Sequence, residues 1–133
     1  MQAMLVLRVA VSGLIAAHGI SRFWFEAVDP FGVWLTSQGI PAGALIAYAI
    51  TLLEIAGTPL LAVGRFVLPL CLSFSLIYSC GIVLVHAQEG WLVVGLGRNG
   101  MEYSVLLIVC LLCIGYQNLT DNENTGLSTD KET

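Results

Sequence analysis

Residues 42–64 read AGALIAYAITLLEIAGTPLLAVG, a run that is apolar almost throughout and carries one carboxylate, Glu54, close to its middle. At a rise of about 1.5 Å per residue, a helix over this run crosses a bilayer core of about 30 Å. An acid at that depth costs about 2.5–3.5 kcal/mol on insertion scales. Glu54 is therefore expected to face a protein interior and to meet a partner there. Gly64 is a suitable residue to close the helix. Gly57 and Pro59, just beyond Glu54, predict close helix contact and a local break in the hydrogen-bond ladder.

The rest of the chain is built to the same end. Its 133 residues are 57% hydrophobic and only 11% charged, with a mean hydropathy of +0.87. A soluble domain of this size needs a far more polar surface, so composition places the protein in the membrane. The net charge of −4 comes partly from the C-terminal residues and points to no acidic or basic partner. No nucleic-acid surface is visible.

Residues 3–18 form the first apolar run. No basic residue precedes it, Arg8 interrupts it and no small-x-small cleavage site follows, so it reads as a transmembrane helix ending near Ile20 rather than a signal peptide. Residues 21–41 hold Phe23, Trp24, Phe25, Phe31 and Trp34, aromatics of the kind found at a membrane–water boundary. Asp29-Pro30 predicts an N-cap and a first-turn proline. Phe31, Trp34 and Leu35 share one face, and Gly39-Ile40-Pro41 closes a short interfacial helix. A third span over 66–86 must begin at once after Gly64-Arg65, with Pro69 in its first turn. Residues 87–100 form a loop with Glu89, Trp91 and Arg98, and a fourth span runs from about 101 to 116. Residues 1–117 thus read as one four-span domain and 118–133 as a disordered polar tail. Asn118-Leu119-Thr120 matches a glycosylation sequon but lies too near the membrane to carry meaning.

The expected fold is all-α: an integral membrane four-helix up-down-up-down bundle with a short interfacial helix between spans 1 and 2. The side of the termini holds Arg8, Arg65 and Lys131, the other side Arg22 and Arg98; the positive-inside rule then favours cytoplasmic termini.

Relative depth suggests which polar residues meet. Counted from the terminal side, Arg8 lies roughly 8 Å deep and Glu54 roughly 14 Å, a gap that an arginine side chain covers. An Arg8–Glu54 ion pair is the expectation, either as a proton-accepting or ligand-gripping site or as a register pin between helices. At the opposite face His18, Arg22, His86 and Glu102 come to one side of the membrane, with Glu89 and Arg98. These groups would suit proton exchange or a quinone head group; they also suit an ordinary wet helix end. No i, i+3 or i, i+4 ligand pair exists among them, so no metal site is expected.

Cys110 and Cys113 form a C-x-x-C, a redox signature in a soluble fold. Here it lies on an apolar helix, with Cys71 at similar depth, where a thiolate is disfavoured and cysteine serves as a small packing residue.

The ordered set Arg8, His18-Gly19, Arg22-Phe23, Gly39-Ile40-Pro41, Glu54 with Gly57, Gly64-Arg65, His86 and Gly100-Met101-Glu102-Tyr103 resembles the DoxX family of small four-helix bacterial membrane proteins. The resemblance covers roughly residues 5–109. Arg22 stands where the family more often has lysine, and Thr58-Pro59 follows Gly57 where a second glycine is usual. The resemblance implies a bacterial inner-membrane protein akin to subunits of membrane redox systems, thiosulfate–quinone oxidoreductase among them. It supplies no catalytic residue; a quinone is the one cofactor it brings into view.

Two classes of function follow. In the first, the chain is at most a subunit of a membrane oxidoreductase, offering a quinone or a redox partner protein a polar site. In the second, it is a non-catalytic scaffold or assembly factor that docks soluble proteins through the Trp24–Leu35 stretch and the tail. A small transporter built on Glu54 would need several copies of the chain, since four short spans leave little room for a pathway.

Overall fold

The computed structural model describes residues 2–93 and 99–129, and among them the chain is entirely helical. The helices are α1 (Gln2–Trp24), α2 (Val28–Ser37), α3 (Gly43–Ala62), α4 (Val67–Gly81), α5 (Ala87–Glu89) and α6 (Glu102–Thr129). A π-helical stretch, Ile82–His86, joins α4 to α5 without a break. Four helices are long and apolar enough to cross a membrane: Gln2–Trp24, Gly43–Ala62, Val67–Glu89 and Glu102–Asp121. Their outer faces expose Val6, Leu52, Leu72, Val83 and Leu106 by half or more. Such a surface is stable against lipid and not against water.

The chain divides into two compact helical units, Gln2–Arg65 and the segment from Phe66 onward. In the first, α1 and α3 run antiparallel. Arg8 meets Ala62, Gly19 meets Glu54 and Ile55, and Arg22 meets Thr51 and Glu54. The seam is a heptad-like stripe on each helix: Arg8, Ser12, Ile15, Gly19 and Arg22 on α1, and Ala47, Thr51, Glu54, Thr58 and Leu61 on α3. Both carry polar residues where a soluble bundle would carry leucine. Gly19 permits this closeness, because a Cβ there would stand 2.7 Å from Cβ of Glu54.

The short α2 lies against the first turns of α3. Its buried stripe is Val28, Gly32 and Leu35. Gly32 approaches the backbone of Ala44, and Gly43 approaches the carbonyl of Gly32 and Thr36. Val28, Leu35 and Ala47 form a small core, flanked by Phe31, Trp34, Ile40 and Ile46. The helix expected between spans 1 and 2 is present, but it starts at Val28. Asp29 is therefore not its N-cap, and no side chain caps it. Asp29 is instead held by Tyr48, whose hydroxyl donates to Oδ1 at 2.9 Å.

The ends of α2 and α3 follow from glycine. Gly39 (φ +83°) donates to the Thr36 carbonyl while Ile40 donates to Leu35. Gly64 (φ +82°) donates to Leu61 while Arg65 donates to Leu60. Both are paired 5→2 and 6→1 closures of a helix C-terminus. The same pattern ends α1, where Glu26 (φ +53°) occupies the left-handed position.

In the second unit α4 packs on α6, with Val67, Leu70, Cys71 and Phe74 recurring on one face of α4 and Leu107, Leu111 and Ile114 buried along α6. Cys71 and Leu68 come into van der Waals range of Gly115. The third span runs three residues past the expected His86, to Glu89, because the π stretch continues the helix. The expected tail is corrected as well. Helix α6 continues to Thr129, so residues 118–129 are helical rather than disordered. No proline interrupts them, and Gln117 Nε2 donates to Asp121 Oδ1 one turn on, at 2.8 Å. Arg98 and Lys131, used above for orientation, lie outside the described residues.

Candidate functional site: a buried arginine–glutamate pair

Glu54 is buried, its side chain 3% exposed, and its partner is Arg22. Nη1 of Arg22 donates to Oε2 at 2.6 Å and to the Thr51 hydroxyl at 3.2 Å. Thr51 in turn donates to the Ala47 carbonyl at 2.8 Å, so its lone pairs point at the guanidinium. On the other side, Cζ of Arg22 stands 4.7 Å from the centroid of the Phe31 ring, a cation–π contact. Phe31 stacks on Trp34 at 6.1 Å and 14°. One guanidinium thus ties α1 to α3 through Glu54 and to α2 through Phe31. Short, charge-assisted bonds of this kind are the strong ones, and the aromatic roof reduces the water that would screen them.

The expected Arg8–Glu54 pair does not form. Arg8 Nε donates to the Ala62 carbonyl at 3.3 Å, and its guanidinium lies beside Gly64 at the C-terminal end of α3, where a cation is favoured. The antiparallel register explains the difference. Glu54 is level with Gly19, eleven residues from Arg8, which is about 16 Å along the helix and beyond the reach of an arginine side chain. The depth count also stopped α1 at Ile20, whereas it continues to Trp24 and keeps Arg22 on the helical stripe that faces α3.

The four residues assigned to the loop side are distributed over both units. His18 lies one helical turn before Arg22 on α1 and is exposed. His86 and Glu102 belong to the second unit and close its loop. His86 Nδ1–H donates to the Asn99 carbonyl at 2.8 Å, since a carbonyl can only accept. That bond leaves Nε2 of a neutral imidazole as an acceptor. Glu102 Oε1 accepts from the Val93 amide at 3.0 Å. The loop is drawn tight by Met101 donating to the Gly90 carbonyl and Glu102 donating to that of Trp91. Gly100 is needed there, because any Cβ would collide with the Leu92 carbonyl oxygen. Among the described residues no group of three or more His, Cys, Asp or Glu side chains could hold a metal ion. Cys110 and Cys113 are free thiols, as are Cys71 and Cys80.

Sequence reasoning missed the Arg22–Glu54 pair, although its signal was present. Positions 8, 12, 15, 19 and 22 keep a heptad stripe past the point where the first apolar run seems to end. The contact of Phe31 with Arg22 and that of Tyr48 with Asp29 had no local signal, being set by the angle at which α2 returns to α3.

A family model described as DoxX matches residues 3–87, which takes in nearly all of the first unit and most of the third span. No curated protein and no solved structure matches the chain.

Proposed function

The chain belongs to the DoxX family of membrane proteins, and on that premise we propose that it is a redox-associated membrane subunit whose first helical unit offers a quinone head group a donor site at His18 and Arg22. The observation that carries the reading is the Arg22–Glu54 pair, a buried charge set one helical turn from a histidine at the loop-side end of a membrane span. Ionisable residues at such depth mark ligand or proton pathways more often than packing.

The residues fit the group in their chemistry. A quinone presents carbonyl oxygens, which need donors. A guanidinium carries N–H groups on three nitrogens, and Nη1 alone serves Thr51 and Glu54. His18 adds a second donor, and the Phe31–Trp34 stack gives apolar surface for a flat ring. When bound, a quinone supplies two-electron chemistry coupled to protons. The roles left to this chain are to orient the head group with Arg22, to hold or release a proton at His18, and to keep the Arg22 charge fixed with Glu54. The reading places the site in the first helical unit, to which His86 does not belong. The proposed setting is the bacterial inner membrane, with the termini on the cytoplasmic side and a redox enzyme as partner.

Turnover of a soluble quinone analogue by membranes containing the protein and its partner tests this. His18→Ala should lower turnover at least tenfold while His86→Ala leaves it within twofold. Equal effects, or none, contradict the assignment. A second reading, a non-catalytic scaffold, is favoured by the exposure of Phe23, Trp24 and Phe25 at the α1–α2 corner, each two-thirds exposed or more. Under it, both variants keep wild-type turnover and aromatic substitutions at that corner release the partner.

A further inference from the structure

The α1–α2 corner holds a second feature that the Arg22–Glu54 pair does not use. A cleft of about 540 Å³ opens there, lined by Phe23, Trp24, Glu26, Val28, Asp29 and Tyr48. The volume lies within the roughly 300–1,000 Å³ of small-molecule sites. Three of its six lining residues are aromatic and two are carboxylic acids. Among the described residues neither Glu26 nor Asp29 forms a salt bridge. Asp29 is held in place by the Tyr48 hydroxyl, which donates to Oδ1 at 2.9 Å.

Such a lining selects the sign and shape of its ligand. Carboxylates and ring faces attract a cation, and an organic ammonium satisfies both at once, through charge with the acids and through cation–π contact with the rings. The same lining disfavours anions and carries no cationic side chain, which separates this cleft from the donor site proposed at His18 and Arg22. The position selects the source. Phe23 and Trp24 are in the last turn of a membrane span, and their exposure places them in the aromatic belt at head-group level. We propose that this cleft binds the ammonium head group of a zwitterionic phospholipid, of the ethanolamine or choline class.

The test uses the full-length chain in micelles doped equally with phosphatidylethanolamine and phosphatidylglycerol, followed by native mass spectrometry. The expected result is one retained phosphatidylethanolamine per chain, preferred over phosphatidylglycerol by about two- to fivefold, the scale of one exposed cation–π contact. Phosphatidylcholine should compete, because methylation keeps the charge and the ring contact. The Glu26→Gln/Asp29→Asn variant, with both changes at exposed positions, should bring the two lipids to parity while circular dichroism stays that of the wild type. Parity in the wild type overturns the proposal, as does a preference unchanged in the double variant. A cleft that responds to soluble ethanolamine while the lipids stay at parity overturns the lipid source.

Discussion

Replacing Arg22 with methionine keeps most of the aliphatic stem and removes only the guanidinium. The consequence falls on Glu54, whose side chain is 3% exposed and would lose its ionic partner. Breaking a buried pair from one side costs about 3–5 kcal/mol. A lone carboxylate can take up a proton instead of remaining charged, which holds the loss near the lower end, at about 3 kcal/mol. Loss of the Phe31 contact adds about 0.5–1 kcal/mol. The reverse change, Glu54→Leu, strands an arginine whose side chain is 19% exposed and can turn outward, so about 2 kcal/mol is expected. The double variant removes both charges and should return to within about 1 kcal/mol of the wild type, giving a coupling of several kcal/mol. Reversible unfolding in mixed micelles, followed by circular dichroism, measures all four corners of the cycle. Additive single effects, or an Arg22→Met change below about 0.5 kcal/mol, would refute the reasoning. An Arg8→Met loss larger than that of Arg22→Met would restore the pairing expected from depth alone.

Other consequences follow from named contacts. Gly19→Ala places a Cβ 2.7 Å from that of Glu54 and 3.3 Å from the Ile55 amide nitrogen, and it should destabilise the protein by about 1–3 kcal/mol in the same unfolding assay. Gly43→Ala drives a Cβ into the Gly32 carbonyl and should lift α2 from α3, seen as faster protease cleavage between residues 37 and 43. His86→Ala removes the bond to Asn99 and should cost about 1 kcal/mol, with faster amide exchange at Met101 and Glu102. Arg8→Met loses one bond to a helix-terminal carbonyl and a favourable dipole contact, for a loss of about 1 kcal/mol.

Much of the fold is legible in the residues because the bilayer permits few alternatives. Four apolar runs of spanning length can only be helices, and Gly39 and Gly64 mark where α2 and α3 end. The depth of Glu54 likewise foretells a buried partner. The identity of that partner does not follow from depth, because register between two helices depends on which small residues let them approach. Gly19 decides it here, by placing α1 so that Arg22, not Arg8, is level with the carboxylate. Polar residues at the far side of a helix cannot be sorted into contacts by counting either. His86 and Glu102 are each engaged by the backbone of their own loop, contacts that a count of depth does not foretell. Polarity alone also misplaced the end of α6, since a stretch without an apolar face still forms helix when it continues an existing one.

Binding of a quinone analogue to the purified protein, measured for the wild type beside His18→Ala and the charge-free Arg22→Met/Glu54→Leu double variant, tests the central claim most directly. The double variant keeps its fold on the argument above, so a loss of binding reports on the site and not on stability. The account predicts saturable binding to the wild type and binding weakened tenfold or more in both variants. Binding that is unchanged in both, or absent from the wild type in the presence of its partner, would contradict it.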